Sequence, residues 1–359
     1  MASRKSTSRI PIDKVNQLIH NCSVGFDSVE FCWHGGEPLL VGKDFYLRVL
    51  ESQKSVKQST NIKFQNVIQS NGSLISDEWL DFFQANEIRV GLSFDAPPHV
   101  HRTQRPSTNE SIDIEQYFSL FKRIKERSLP LGLLCVVTKS NVSLAEEIFQ
   151  FFSEIGAESY SLLPLISVPS ELLPEVPSND ELFDLFKKTF DLWLNSNHSF
   201  KCIEPIDSMV QSIVGAYPRL CTYASSCLKR MVAIIPTGEI VPCGSLVSDS
   251  FVLGNAFEDT VYRAIHTPKA KALRVSRAEA VKKWCKNCDY ISICRGGCRE
   301  NAYWSSHNYQ GCYPYCEARK RTFDYIRDTL NEMLCSKGNM TPPTMSQEKL
   351  SPMEVCNGS

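Results

Sequence analysis

The sequence predicts an α/β chain in two parts: a parallel sheet of βα units whose opening strand is missing, then a smaller unit organised by cysteines. Three observations predict it. Apolar runs rich in Val, Ile and Phe alternate with helical periods through the first half, the series opens on a helix, and nine of the 15 cysteines fall between Cys221 and Cys316. Alternating strand and helix is the pattern of a parallel sheet, either open or closed into a barrel.

The opening helix is expected over Pro11–Asn21, with Val15, Leu18 and Ile19 on one face and Pro11 suited to a first turn. Strands are expected at Val29–Trp33, Ile62–Gln69, Ile88–Phe94, Leu131–Thr138 and Ser159–Leu165. Helices are expected between and after them, at Asp44–Ser55, Asp77–Asn86, Ile114–Arg127, Leu144–Ile155 and Asp180–Asn195. Ser76 stands before two acids as a helix start, and Ser143 with Glu146 spells a capping box. The result is five consecutive βα units with no strand ahead of the first helix. The pattern changes near Ser196, so residues 1–195 are expected to form the sheet domain, 196–335 the cysteine-rich domain, and 336–359 a disordered tail.

Composition excludes several classes. The 359 residues are 42% hydrophobic and 22% charged, which suits a folded chain of about two domains and excludes fibrous or wholly disordered ones. Lys and Arg total 39 against 40 Asp and Glu, so no basic excess argues for a nucleic-acid partner. The longest apolar run, near Leu131–Val137, is far shorter than the roughly 20 residues of a membrane span. Met1–Ile10 has no apolar core, so no secretory leader is read and a reducing, cytoplasmic setting is expected. Clustered thiols in such a setting bind metal more often than they pair as disulfides.

Three polar groups fall at the ends of successive expected strands: Trp33-His34-Gly35-Gly36-Glu37-Pro38-Leu39, then Ser70-Asn71-Gly72, then Ser93-Phe94-Asp95 with Arg105 further on. Ligands bind at the carboxyl ends of strands in parallel sheets and barrels, so these groups outline a polar pocket. The glycines let backbone approach a ligand closely, and Glu37 could accept hydrogen bonds from an ammonium group. His34, beside the glycines, reads as packed or facing solvent. The cysteines run Cys221, Cys227, Gly238-x4-Cys243, Cys285-x2-Cys288-x5-Cys294-x3-Cys298 and Cys316, with Cys312 as an extra thiol. Eight soft thiolates suit two iron–sulfur clusters or two structural zinc sites, and spacing alone leaves both open. Between Cys221 and Cys335 there are 16 Lys and Arg against 11 Asp and Glu, an excess that two anionic clusters would largely offset.

On these residues the chain resembles radical S-adenosylmethionine enzymes that carry a carboxy-terminal SPASM domain, related to anaerobic sulfatase-maturating enzymes. The resemblance runs from Val29 to Leu334 and rests on Gly35-Gly36-Glu37-Pro38, Ser70-Asn71-Gly72, Ser93-x-Asp95, Arg105 and the cysteine array. It implies a partial (β/α) TIM-like barrel missing its first strand, followed by the SPASM domain. It implies that Gly35, Gly36, Glu37, Pro38, Asn71, Ser93 and Arg105 hold S-adenosylmethionine. One auxiliary 4Fe-4S cluster would take Cys221, Cys227, Cys243 and Cys298, and a second Cys285, Cys288, Cys294 and Cys316, unless Cys312 replaces Cys316. The implied partners are a peptide or protein substrate and an electron donor such as a flavodoxin or ferredoxin, with no nucleic acid and no membrane.

The chain departs from that family twice. The family's Cys-x3-Cys-x2-Cys, which binds the catalytic cluster, does not occur in this sequence. The missing motif belongs at the end of the missing strand, so a truncated chain is expected, inactive in radical formation as written. The alternative is a non-catalytic iron–sulfur or zinc module that binds a peptide. Secondly, sulfatase-maturing relatives carry an Asp directly after the Gly-x4-Cys cysteine, where this chain has Gly244. The Trp33–Leu40 string looks more like maturases of ribosomally made peptides.

Overall fold

The computed structural model describes residues 9–106, 113–166, 170–196, 200–224 and 227–336. The tail expected from Ser336 lies outside the described residues beyond that serine.

A short 3-10 turn at Ile12–Lys14 leads into α1 (Val15–Ser23), whose Val15, Leu18 and Ile19 are buried as the sequence pattern requires. Then follow β1 (Ser28–Trp33), α2 (Lys43–Ser59), β2 (Lys63–Ser70), α3 (Asp77–Ala85), β3 (Arg89–Ser93), α4 (Pro98–Gln104), α5 (Ile114–Glu126), β4 (Leu131–Val137), α6 (Ala145–Glu154), β5 (Ser159–Pro164), α7 (Asn179–Asn195), β6 (Cys202–Glu204) and α8 (Ile206–Ile213). The six strands pair in parallel and in sequential order. That is a partial (β/α) barrel. The sheet runs past residue 195, because β6 pairs with β5 through Ser159↔Cys202, Tyr160↔Ile203 and Ser161↔Glu204. The sequence reading missed β6 because three residues carry no periodicity.

Local sequence explains several helix starts. Ser76 caps α3 through Trp79 N–H, and capping boxes form at Asp113 with Gln116 on α5 and at Ser178 with Glu181 on α7. The capping box expected at Ser143 does not form. The residue before α6 is Leu144, with no side-chain cap. A Thr138–Asn141 turn shapes that corner instead: Asn141 Oδ1 accepts from Thr138 N–H at 2.9 Å, and Asn141 Nδ2 donates to Ala96 O and Val136 O.

A second sheet is small and antiparallel: β7 (Ala233–Ile234), β8 (Glu239–Val241) and β9 (Gly254–Asn255). Around it lie α9 (Cys221–Ala224), α10 (Val261–Ile265), α11 (Pro268–Trp284), α12 (Ile291–Cys294), α13 (Arg299–Ser306) and α14 (Cys316–Ser336). This cysteine-bearing part clasps the barrel at both margins. At one, Asn21 Nδ2 donates to Ala256 O at 2.9 Å, and Tyr262 closes over Gly25, where a Cβ would come within 2.6 Å of the ring. At the other, α14 packs on α7: Asn179 Oδ1 accepts from Ala318 N–H at 2.9 Å, and Tyr325 OH donates to Asp191 at 2.7 Å. Among the described residues no helix is long and apolar enough to cross a membrane.

Candidate cofactor pocket and cysteine centres

The first candidate site forms where β1, β2 and β3 end. After Trp33 the backbone turns through Gly35 and Gly36, at φ +96° and +58°, a region that penalises any Cβ. No atom lies within 4 Å of where either Cβ would stand, so open space adjoins this loop. Glu37 then fastens it. Its Oε1 accepts from Leu39 N–H at 3.2 Å and Ser70 Oγ at 2.9 Å, while Oε2 accepts from Asn71 N–H at 2.9 Å. One carboxylate thereby ties the ends of β1 and β2 together. Pro38 O accepts from Tyr46 OH at 2.9 Å, and Asn71 O from Tyr117 OH at 2.6 Å.

Ser93 ends β3, and its Oγ accepts from Gln69 Nε2 at 3.2 Å. Gln69 pairs across the sheet with Gly91, and a Cβ at Gly91 would overlap the Gln69 side chain. Arg105 returns from the end of α4 to Asp95, donating from Nε to Oδ2 at 2.6 Å and from NH2 to Oδ1 at 3.3 Å. Asp95 is 2% exposed and also accepts from Val136 N–H at 2.8 Å. Its own N–H donates to His101 Nδ1 at 3.0 Å, which fixes that imidazole neutral at this nitrogen. Burial drives the His101 pKa down to about 4; Asp95 raises it and Arg105 lowers it. All seven residues of the expected cofactor group thus lie at or just beyond the carboxyl ends of β1, β2 and β3. The sequence reading missed Gln69, Tyr46, Tyr117 and His101, which position that group.

The cysteines gather in two groups. Cys221, Cys227, Cys243 and Cys298 lie close enough that their charges interact: Cys221 donates to Cys227, which holds the Cys221 thiol up and pulls Cys227 down. Cys243 Sγ donates to Glu300 Oε2 at 2.7 Å. Burial raises Cys298, while backbone N–H groups of Asn301 and Glu300 at the start of α13 favour its thiolate. The second group, Cys285, Cys288, Cys294, Cys312 and Cys316, lines a single pocket. Burial raises Cys316 to about 11, and Lys320 works against it.

Three buried arginines thread between these thiols. Arg277 reaches Cys227 Sγ at 3.6 Å as well as Gly297 O and Arg295 O. Arg319 reaches Cys294 Sγ at 3.7 Å, sandwiched by the rings of Tyr223 and Tyr313, each 4.2 Å away. Arg299 is 3% exposed and borders the five-thiol pocket, and its Nε has no partner. A buried cationic donor left unpaired is costly, and anionic sulfur in the pocket would satisfy it. Soft donors, buried cations and this orphan nitrogen fit iron–sulfur clusters. The chain's only earlier sign of the arginines was its local basic excess.

The two sites touch. The His34 ring is exposed but packs over Gly244, whose Cβ position lies 3.3 Å from His34 Cε1. This agrees with His34 as a packed or solvent-facing residue, with Gly244 as the neighbour it packs on.

This parallel (β/α) half-barrel with a polar cluster at its strand ends, joined to a unit whose nine clustered cysteines form two groups, is similar in sequence and fold to SPASM-bearing maturases. Residues 221–289 match the SPASM family, described as an iron-sulfur cluster-binding domain. The chain is similar to a cysteine-type anaerobic sulfatase-maturating enzyme of Clostridium perfringens, 28% identical over 308 residues, covering 82% of this chain and 80% of that one. It is also similar to a serine-type enzyme of Bacteroides thetaiotaomicron, 26% identical over 77% of this chain and 70% of the other. Among solved structures, native anSMEcpe with bound AdoMet superposes with a TM-score of 0.81 at 23% identity, over 94% of this chain and 93% of that one. Streptococcus suis SuiB bound to precursor peptide SuiA superposes at 0.60 and 19% identity, over 87% and 70%.

Proposed function

We propose that this chain is the cofactor- and substrate-holding body of a maturase that acts on a peptide or protein by radical S-adenosylmethionine chemistry. When bound with a catalytic cluster, the cofactor supplies a 5′-deoxyadenosyl radical for hydrogen abstraction. The chain's own contribution is placement. Gly35, Gly36 and Pro38 offer backbone to the methionine amino group, held in shape by Glu37. Asn71, Ser93 and Arg105 line the remainder, with Arg105 oriented by Asp95. Cys221, Cys227, Cys243 and Cys298 would hold one auxiliary 4Fe-4S cluster, and Cys285, Cys288, Cys294 and Cys316 the second, accepting an electron or anchoring the substrate. A flavodoxin or ferredoxin is the proposed donor.

The carrying observation is the collection of these thiols into two groups lined by buried arginines. The absent Cys-x3-Cys-x2-Cys favours a second reading for the chain as it stands: cofactor and peptide binding without radical formation. Anaerobic reconstitution with iron, sulfide and zinc analysis tests the first. About eight iron with matching sulfide supports two clusters, whereas about two zinc without sulfide overturns them. Equilibrium dialysis with S-adenosylmethionine, scored separately for binding and for methionine release under reduction, tests the second.

A further inference from the structure

Five thiols face the second pocket, and a 4Fe-4S cluster takes four. Cys312, although exposed, lines the same pocket as Cys285, Cys288, Cys294 and Cys316. Its segment is also pinned there. Arg299 NH1 donates to Gly311 O at 2.9 Å, Trp284 Nε1 donates to Gln310 O at 2.8 Å, and Tyr313 lies under the Arg319 guanidinium. Gly297 adjoins Tyr313 so closely that a Cβ there would meet the ring at 2.5 Å. Cys316, by contrast, is the first residue of α14.

We infer that Cys312 and Cys316 are interchangeable fourth ligands of the second auxiliary cluster, Cys312 being the solvent-facing alternative. This rests on the cluster reading above. The exchange breaks one iron–sulfur bond to Cys316 and forms one to Cys312. The Cys312 thiol proton ends on Cys316, and no electron changes hands. The consequence would be a cluster that survives loss of either thiol, with Cys312 holding it from the exposed side.

The test is anaerobic alkylation of the reconstituted full chain by iodoacetamide, with each thiol mapped by mass spectrometry and iron counted in parallel. In wild type, Cys312 is alkylated readily and Cys316 is protected. In Cys316→Ala, iron stays at about eight per chain and alkylation of Cys312 slows at least tenfold. Cys316→Ser, a milder change, gives the same result because soft thiolate outcompetes a hydroxyl for iron. In Cys312→Ala/Cys316→Ala, iron falls and the electron paramagnetic resonance signal of the second cluster changes or vanishes. Unchanged Cys312 reactivity in both Cys316 variants overturns the exchange. A wild type holding no iron overturns the cluster reading itself, which the wild-type iron count distinguishes.

Discussion

Glu37 offers the sharpest test of how the cofactor loop is built. Its carboxylate accepts three internal hydrogen bonds, from Leu39 N–H, Ser70 Oγ and Asn71 N–H. Glu37→Ala removes the acceptor and leaves all three donors, with Ser70 only 1% exposed. At about 1 kcal/mol net for each bond, the loss is about 3 kcal/mol. That corresponds to roughly a hundredfold shift in a local opening equilibrium. Hydrogen exchange read by mass spectrometry on peptides spanning residues 36–40 and 70–74 should therefore quicken about a hundredfold in the variant. S-adenosylmethionine binding should weaken along with it. Glu37→Gln keeps one acceptor oxygen but turns an amide N–H toward a backbone donor, so it should lie between wild type and Ala. If exchange stays within threefold of wild type while cofactor binding is lost, Glu37 is a direct ligand and not the fastening.

Three further outcomes follow from packing and charge. Gly91→Ala forces Gln69 out of the sheet face and should cost about 1–3 kcal/mol in denaturant unfolding, with Gln69→Ala restoring most of it; no restoration would place the strain elsewhere. His101 is 3% exposed and stacked 4.1 Å from Phe94, with Asp95, Arg105 and Tyr117 facing it. Its folded pKa of about 4 lies below the ordinary imidazole value of 6.5, so the unfolded chain binds its proton first. Stability should be unaffected above pH 6.5, fall by up to about 3 kcal/mol as pH drops toward 4, and level off below. His101→Gln should flatten that acid limb, and an unchanged limb would assign it to other groups. Arg319→Ala leaves two tyrosine faces and Cys294 without their cation, and should lower the melting temperature and the iron content together. Iron content unchanged from wild type would make Arg319 purely a packing residue.

Periodicity located the five long strands and their helices within a few residues because each buries one regular face. Val15, Leu18 and Ile19 on α1 and the Leu131–Val137 strand show this directly. Spacing located the cysteines because ligand sets need fixed turns, and Gly296 and Gly297, both at positive φ, supply one such turn between Cys294 and Cys298. What stayed hidden was decided by tertiary contact. β6 is too short to show a period and is buried on every residue. Ser143 had the letters of a cap, but Asn141 bonding back to Ala96 and Val136 set a different approach to α6. Arg277, Arg299 and Arg319 show in the sequence only as part of a local basic excess, and folding sets them beside the thiols. Tyr46 and Tyr117 carry no motif, and their value lies in a single hydroxyl reaching a distant carbonyl.

The contact between His34 and Gly244 bears on the second departure of this sequence from the family, the glycine that follows Cys243. His34 precedes the glycines of the cofactor loop, and Gly244 follows Cys243 of the first thiol group. With the Gly244 Cβ position 3.3 Å from the ring, a side chain there requires the imidazole to move. A bulky residue at 34 and a bare backbone at 244 are thus two halves of one steric solution. The same space, at the seam between the barrel and the cysteine unit, is filled from the barrel side here, where an Asp at 244 would fill it from the other. Gly244→Asp should therefore displace His34 in this chain, and only the pair Gly244→Asp with His34→Gly should restore wild-type stability. Full stability in Gly244→Asp alone would show that the ring swings aside at no cost and that the two positions are independent.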